Sequence, residues 1–172
     1  MIRRDDFEIE DITRALGFLS RLPVRVNPET AVQRGARAAW AFPLVGGLLG
    51  LVAGAIGALL LWLEVPPAAA AALALGSFPL MTGALHEDGL ADSADGLWGG
   101  GDRARRLDIM KDSRIGAFGV LALVFVTLTA WSALTAIFEA GQVFLPLVGA
   151  AVLSRVPMVV LMQALPPARD AG

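Results

Sequence analysis

The chain has no cysteine and no tyrosine, a single histidine (His86), and only 17% charged residues. Without cysteine there is no disulfide framework, no thiolate metal site and no thiol nucleophile, and the redox compartment stays open. Soluble domains carry about 25% charged residues. Those present here are bunched rather than spread, so a soluble surface cannot be assembled from them. A net charge of −2 gives no electrostatic footprint for bulk nucleic-acid binding. Apolar character is in excess: 56% hydrophobic residues and 19 glycines among 172. Soluble domains stand at roughly 45–50% on the scale that includes glycine. The same numbers exclude disorder. An all-α integral membrane protein is the class that remains.

Four runs have spanning length, residues 38–63, 66–85, 116–138 and 142–165, the last with Arg155 in its interior. A helix crosses the hydrocarbon with about 20 apolar residues. Because the runs are continuous rather than alternating, they predict helices and not barrel strands. Small-xxx-small spacings at Gly46/Gly50 and Gly50/Gly54 would let another helix approach closely. Before the first run, residues 1–37 mix Asp5, Asp6, Glu8, Glu10 and Asp11 with Arg3, Arg4 and Arg14. Ile12, Ala15, Leu16 and Leu19 share a helical face, which predicts an interfacial amphipathic helix ending near Leu22-Pro23. Too short to span, and charged, this stretch does not read as a removable leader.

Arginine and lysine set the expected topology. Seven precede the first run (Arg3, Arg4, Arg14, Arg21, Arg25, Arg34, Arg37) and five lie between the second and third (Arg103, Arg105, Arg106, Lys111, Arg114). The turns at 64–65 and 139–141 have none, and Arg169 stands in the tail. That alternation predicts four spans with the N-terminus and residues 86–115 in the cytoplasm. One membrane domain over residues 1–172 follows: an interfacial segment 1–37, spans within 38–85, a polar catalytic segment 86–115, and spans within 116–165.

Segment 86–115 holds seven of the 16 acidic residues. Asp88, Asp92 and Asp95 stand at i, i+4 and i+7, so on a helix their directions fall within roughly 60° of one another. Like charges so placed repel, and near lipid the penalty grows. A divalent cation would remove it. Carboxylate oxygens with no cysteine and at most one histidine suit Mg²⁺ better than Zn²⁺. A solvated acidic face is the bland alternative. It is disfavoured because the triad adjoins a span and basic residues follow it closely.

After the Gly99-Gly100-Gly101 break, Asp102 is a suitable N-cap for a second helix. Leu107, Ile109 and Met110 can pack downward from it. Asp108, Lys111 and Asp112 follow at i, i+3 and i+4, with Arg114 just after. Arginine clamps phosphate with a fork of donors and lysine acts as a point charge. Carboxylates for a metal beside a basic clamp are the parts that phosphoryl transfer needs. Arg103, Arg105 and Arg106 read instead as topogenic or lipid-facing charges. His86, two residues before Asp88, is either interfacial or a ligand. Arg155 is too deep to snorkel comfortably and should face the protein interior, paired with carboxylate or phosphate.

The motif His86-x-Asp88-Gly-Leu-Ala-Asp92-x-x-Asp95-Gly96, followed by Ile109-Met-Lys-Asp-Ser-Arg-Ile-Gly116, resembles the adenosylcobinamide-GDP ribazoletransferase (cobalamin synthase) family. So do Phe18-Leu-Ser-Arg-Leu-Pro23, Phe42-Pro-Leu-Val-Gly46 and Ser154-Arg155, in order along the chain. The resemblance implies a polytopic enzyme of the bacterial inner membrane that acts late in vitamin B12 nucleotide-loop assembly. It implies Mg²⁺ as cofactor, adenosylcobinamide-GDP and α-ribazole (or its 5′-phosphate) as substrates, and release of GMP. Carried over by position, Asp88, Asp92 and Asp95 are the expected metal and catalytic residues, and Lys111, Asp112 and Arg114 bind substrate, with Arg155 as a further contact. Either Asp95 or His86 would take the proton of the attacking ribose hydroxyl.

Two positions depart from the family pattern. Glu87 stands where an apolar residue is usual. Family members also continue through further spans after Ser-Arg, which implies a C-terminally truncated chain. Membrane lipids are the surrounding partners, nucleic acid is not expected, and a homo-oligomer is left open. Two other readings compete. A transporter or channel would spread charges through its spans and show an internal repeat. A CDP-alcohol-type phosphotransferase would carry an arginine between its glycine and later aspartates.

Overall fold

The computed structural model describes residues 7–166 and 168. Asp5, Asp6, Arg3, Arg4 and Arg169 lie outside the described residues. Among the described residues all regular structure is helical, in agreement with the expected all-α class. Among the described residues three helical stretches are long and apolar enough to cross a membrane: Pro28–Trp62, Ala117–Glu139 and Phe144–Ala164. A bent pair, Pro67–Thr82 with Leu85–Gly99, brings the number to four if it counts as one span. The chain divides into two compact units, Met1–Ala58 with Val143–Gly172, and Leu59–Gln142.

In the first unit, α1 (Glu10–Leu19) buries Asp11, Ala15 and Leu19. Ile12 and Leu16, also expected on the apolar face, are half-buried. The buried stripe is therefore headed by a carboxylate, a feature that apolar periodicity does not register. The helix stops at Leu19, where the Ser20 hydroxyl donates to Leu16 O at 2.6 Å and accepts from Leu22 N–H. Asn27 caps the short α2 (Pro28–Arg34) by accepting from Glu29 N–H and Thr30 N–H. A 3₁₀ segment, Gly35–Ala41, leads into α3 (Phe42–Trp62). The changeover has a local cause. Pro43 has no N–H to offer the Ala39 carbonyl, which instead accepts from Phe42 N–H in the tighter 3₁₀ pattern.

The glycine spacing of α3 is used. A Cβ on Gly46 would strike the carbonyl oxygen of Ala151, one on Gly50 would lie 2.9 Å from Val148 Cα, and one on Gly54 would lie 2.8 Å from the Phe144 ring. Those contacts all fall on α8 (Phe144–Leu153), so the stripe is the seat of a close helix pair. The run expected at 142–165 is split at Ser154-Arg155 into α8 and α9 (Val156–Ala164).

In the second unit, α4 (Pro67–Thr82) has 16 residues, about 24 Å of helix against a hydrocarbon core of about 30 Å. Gly83 and Ala84 are both left-handed (φ 68° and 59°), and the chain turns by 89° into α5 (Leu85–Gly99). An L-residue held in that region costs roughly 1 kcal/mol, so Ala84 is a strained corner. Most of the acidic motif thus lies on a helix that continues the second apolar run. Asp102 accepts from Arg105 N–H at 2.9 Å and opens α6 (Arg103–Ile109), as its residue type predicts. Then comes α7 (Ala117–Glu139), pinned to α4 where Trp131 Nε1 donates to Ala68 O at 2.8 Å.

Candidate active site

Helix α5 presents its three aspartates to three environments. Asp88 is exposed, Asp92 half-buried, and Asp95 is 8% exposed. Asp95 Oδ2 accepts from Gly116 N–H at 2.7 Å and Oδ1 from Gly119 N–H at 2.9 Å. Gly116 is the N-cap of α7, so the Asp95 carboxylate satisfies two amide groups that a helix start leaves without intrahelical partners. Its negative charge also sits at the positive end of the helix dipole. The glycines are required by this approach. A Cβ on Gly116 would collide with Asp95 Oδ1, and one on Gly119 would lie 2.5 Å from Asp95 Oδ2. The two central sequence motifs are therefore joined by one side chain.

Beside this junction is a cleft of about 360 Å³, lined by Asp95, Arg105, Asp108, Asp112 and Arg114, with Gly99, Ile109, Gly116, Ala117 and Phe118. Asp112 holds Arg114 through Nη2 at 2.7 Å and Nε at 3.1 Å, and also accepts from its backbone N–H. The guanidinium hydrogen bond leads the causes that bring the Asp112 carboxyl down to about 2. The Asp108 carbonyl accepts from Lys111 N–H at 3.1 Å, while its carboxylate has no hydrogen-bond or ion-pair partner among the described residues. The floor of the cleft is built by close packing: a Cβ on Gly96 would lie 2.6 Å from the Met110 side chain. Arg106 Nε closes the glycine break by donating to Gly100 O at 3.0 Å.

Helix α6 ends at Ile109, so Lys111 and Asp112 lie in the following turn rather than on a helical face with Asp108. Asp112 reaches the cleft; Lys111 is exposed and does not line it. Arg105, set aside as topogenic, does line it. One signal could have found it: positions 105, 108 and 109 stand at i, i+3 and i+4 on the helix that Asp102 caps. His86 and Asp88 stand nine and seven residues before Asp95, roughly 13 and 10 Å along the helix. Arg155 belongs to the first unit. It is 6% exposed, and its Nη1 donates to Ser154 Oγ at 2.7 Å and to Ala151 O at 3.4 Å.

Among the described residues no three His, Asp or Glu side chains converge closely enough to hold a metal ion. Asp95, with both oxygens on backbone amides, does not complete a three-aspartate cage. Asp88 and Asp92, one helical turn apart, still fit the habit of Mg²⁺, which takes one or two carboxylates and completes its shell with water and substrate phosphate.

Apolar helices that carry two arginines and three carboxylates around one open cleft define a polytopic helical membrane protein with a site suited to a phosphate-bearing ligand. The family model for cobalamin-5-phosphate synthase matches residues 11–172, and the chain belongs to that family. It is 48% identical to the adenosylcobinamide-GDP ribazoletransferases of Brucella ovis and Brucella canis, over 95% of this chain. The chain spans 65% of the length of these curated relatives. No solved structure matches it.

Proposed function

We propose that the protein transfers the cobinamide phosphate of adenosylcobinamide-GDP to α-ribazole or its 5′-phosphate and releases GMP. The observation that carries this reading is the convergence of Asp95, Arg105, Asp112 and Arg114 on one cleft. The substrates are those named by the activity of the Brucella relatives. A ribose hydroxyl attacks the phosphorus attached to cobinamide, a new P–O bond forms, and the bond to the GMP oxygen breaks. Arg105 and Arg114 neutralise charge gathering on the leaving phosphate, a stabilisation that grows toward the transition state. Asp112 orients Arg114 from behind. The hydroxyl proton passes to a cleft carboxylate. Asp108, whose carboxylate has no partner among the described residues, is better suited to accept it than Asp95, whose oxygens are both engaged. Mg²⁺, when bound at Asp88 and Asp92, would supply charge neutralisation to the diphosphate.

The distribution of arginine and lysine supports a cytoplasmic N-terminus and a cytoplasmic cleft in a bacterial inner membrane. Incubating the purified protein in nanodiscs with adenosylcobinamide-GDP, α-ribazole and Mg²⁺ should release GMP in step with the ribazole adduct. Arg105→Ala and Arg114→Ala should each slow release by about 100-fold. Wild-type rates in both variants, or no GMP from the parent protein, would overturn the proposal.

A further inference from the structure

The Asp95 cleft has an apolar lining as well as a charged one, supplied by Ile109, Ala117 and Phe118. Phe118 is the aromatic member of that lining and is 46% exposed. It stands in the first turn of α7, between Gly116 and Gly119, whose amides both donate to Asp95. A backbone held on either side by one carboxylate gives the ring a defined place. Among the described residues the ring has no aromatic or cationic partner. The rings that do pair, Phe7 with Trp40 and Phe18 with Phe42, belong to the first unit.

A half-exposed ring and two arginines lining one cleft are the parts that a nucleotide requires: an apolar face for the planar base and cations for the phosphate. At about 360 Å³ the cleft falls within the range of small-molecule sites, about 300–1,000 Å³. We propose that Phe118 stacks on the heteroaromatic base of a nucleotide whose phosphate lies at Arg105 and Arg114, and so selects substrates that carry a base. The inference rests on the transferase reading for the identity of that nucleotide. Two sources bring the same chemistry: the guanine of the GDP moiety, and the base of α-ribazole. Lipid contact is the competing role for an exposed phenylalanine at a helix start, and Phe125 supplies the comparison. It lies on the same face of α7, roughly 10 Å further along, and is 65% exposed.

The test compares the full chain in nanodiscs with its Phe118→Leu, Phe118→Trp and Phe125→Leu variants. GMP, α-ribazole 5′-phosphate and ribose 5-phosphate are titrated in turn and followed by saturation-transfer NMR. Steady-state turnover then gives KM separately for adenosylcobinamide-GDP and for α-ribazole. Phe118→Leu should weaken one of the two base-bearing ligands about tenfold and raise the matching KM with kcat little changed. A loss for GMP assigns guanine as the stacked base, and a loss for the ribazole phosphate assigns the other source. Ribose 5-phosphate, which has no base, should bind Phe118→Leu and the parent alike. Phe118→Trp should keep the parent's affinity, and Phe125→Leu should change nothing. Base-bearing ligands that ignore Phe118→Leu, a parallel loss of ribose 5-phosphate, an equal loss in Phe125→Leu, or no nucleotide binding by the parent would overturn the proposal. Binding needs no turnover, so a parent that binds GMP through Phe118 yet releases none from adenosylcobinamide-GDP would refute the transferase reading and leave the stacking role supported.

Discussion

Among the described residues each unit buries one aspartate, and the two are satisfied in opposite ways. Asp11 is held by cationic and aromatic side chains, Arg14, Arg34 and Trp40, drawn from up to 29 residues away. Asp95 is held by two backbone amides, those of Gly116 and Gly119. A carboxylate balanced by side-chain cations belongs to a charge network in which removing one member strands the others. One balanced by a helix start belongs to the backbone, and its loss opens a cap. The first arrangement fixes arginines and the second fixes a chain junction.

The comparison breaks most easily at Asp11. Asp11→Ala should destabilise the protein by about 3–5 kcal/mol, because Arg14 and Arg34 stay desolvated without their anion. Asp11→Asn should cost nearly as much, since the missing quantity is charge. Asp95→Ala should cost less, about 2 kcal/mol, for two hydrogen bonds at a helix start. Asp95→Asn should recover roughly half of that, because an amide oxygen still accepts one N–H. Denaturant titration in detergent, comparing the Asn/Ala ratio at the two positions, checks both. Equal ratios would erase the distinction.

Gly119→Ala tests the same junction from the other side. The added Cβ would displace the Asp95 carboxylate, and a loss close to that of Asp95→Ala is expected, measured in the same titration. Acid should separate the two units more gently. Burial alone would raise the Asp11 carboxyl, but hydrogen bonds from Arg34, Trp40 and Arg14 outweigh it and hold it well below its ordinary 3.8. A lowered carboxyl stabilises fully above its unfolded value and loses that contribution as pH falls through its folded one. The Asp11 network should therefore survive at pH 3, read by Trp40 emission against a Trp40→Phe control. The exposed Asp112–Arg114 pair should open as pH falls through about 2, with little change in global stability.

Much of this was legible in the chain. Apolar runs located α3, α7 and the α8–α9 pair, glycine spacing marked the close helix contact, and Asp102 announced the start of α6. What periodicity missed has a common cause. Asp11 looked like one acid among several because its partner Arg34 is 23 residues away. Asp95 lay on the expected face with Asp88 and Asp92, but its partners are amides, which leave no mark in residue type. Only the glycines at 116 and 119 hint at a group pressed against that backbone. The corner at Gly83-Ala84 was equally silent, since alanine ordinarily continues a helix.

Asp95 ties α5 to the start of α7 and so shapes the Asp112–Arg114 side of the cleft. Amide hydrogen exchange across residues 113–121 tests it most directly, with Asp95→Ala compared against Asp88→Ala in the same nanodiscs. Exchange at Gly116 and Gly119 should quicken in Asp95→Ala alone, while α5 and the body of α7 keep their protection. Unchanged exchange in Asp95→Ala, or an equal rise in Asp88→Ala, would contradict it.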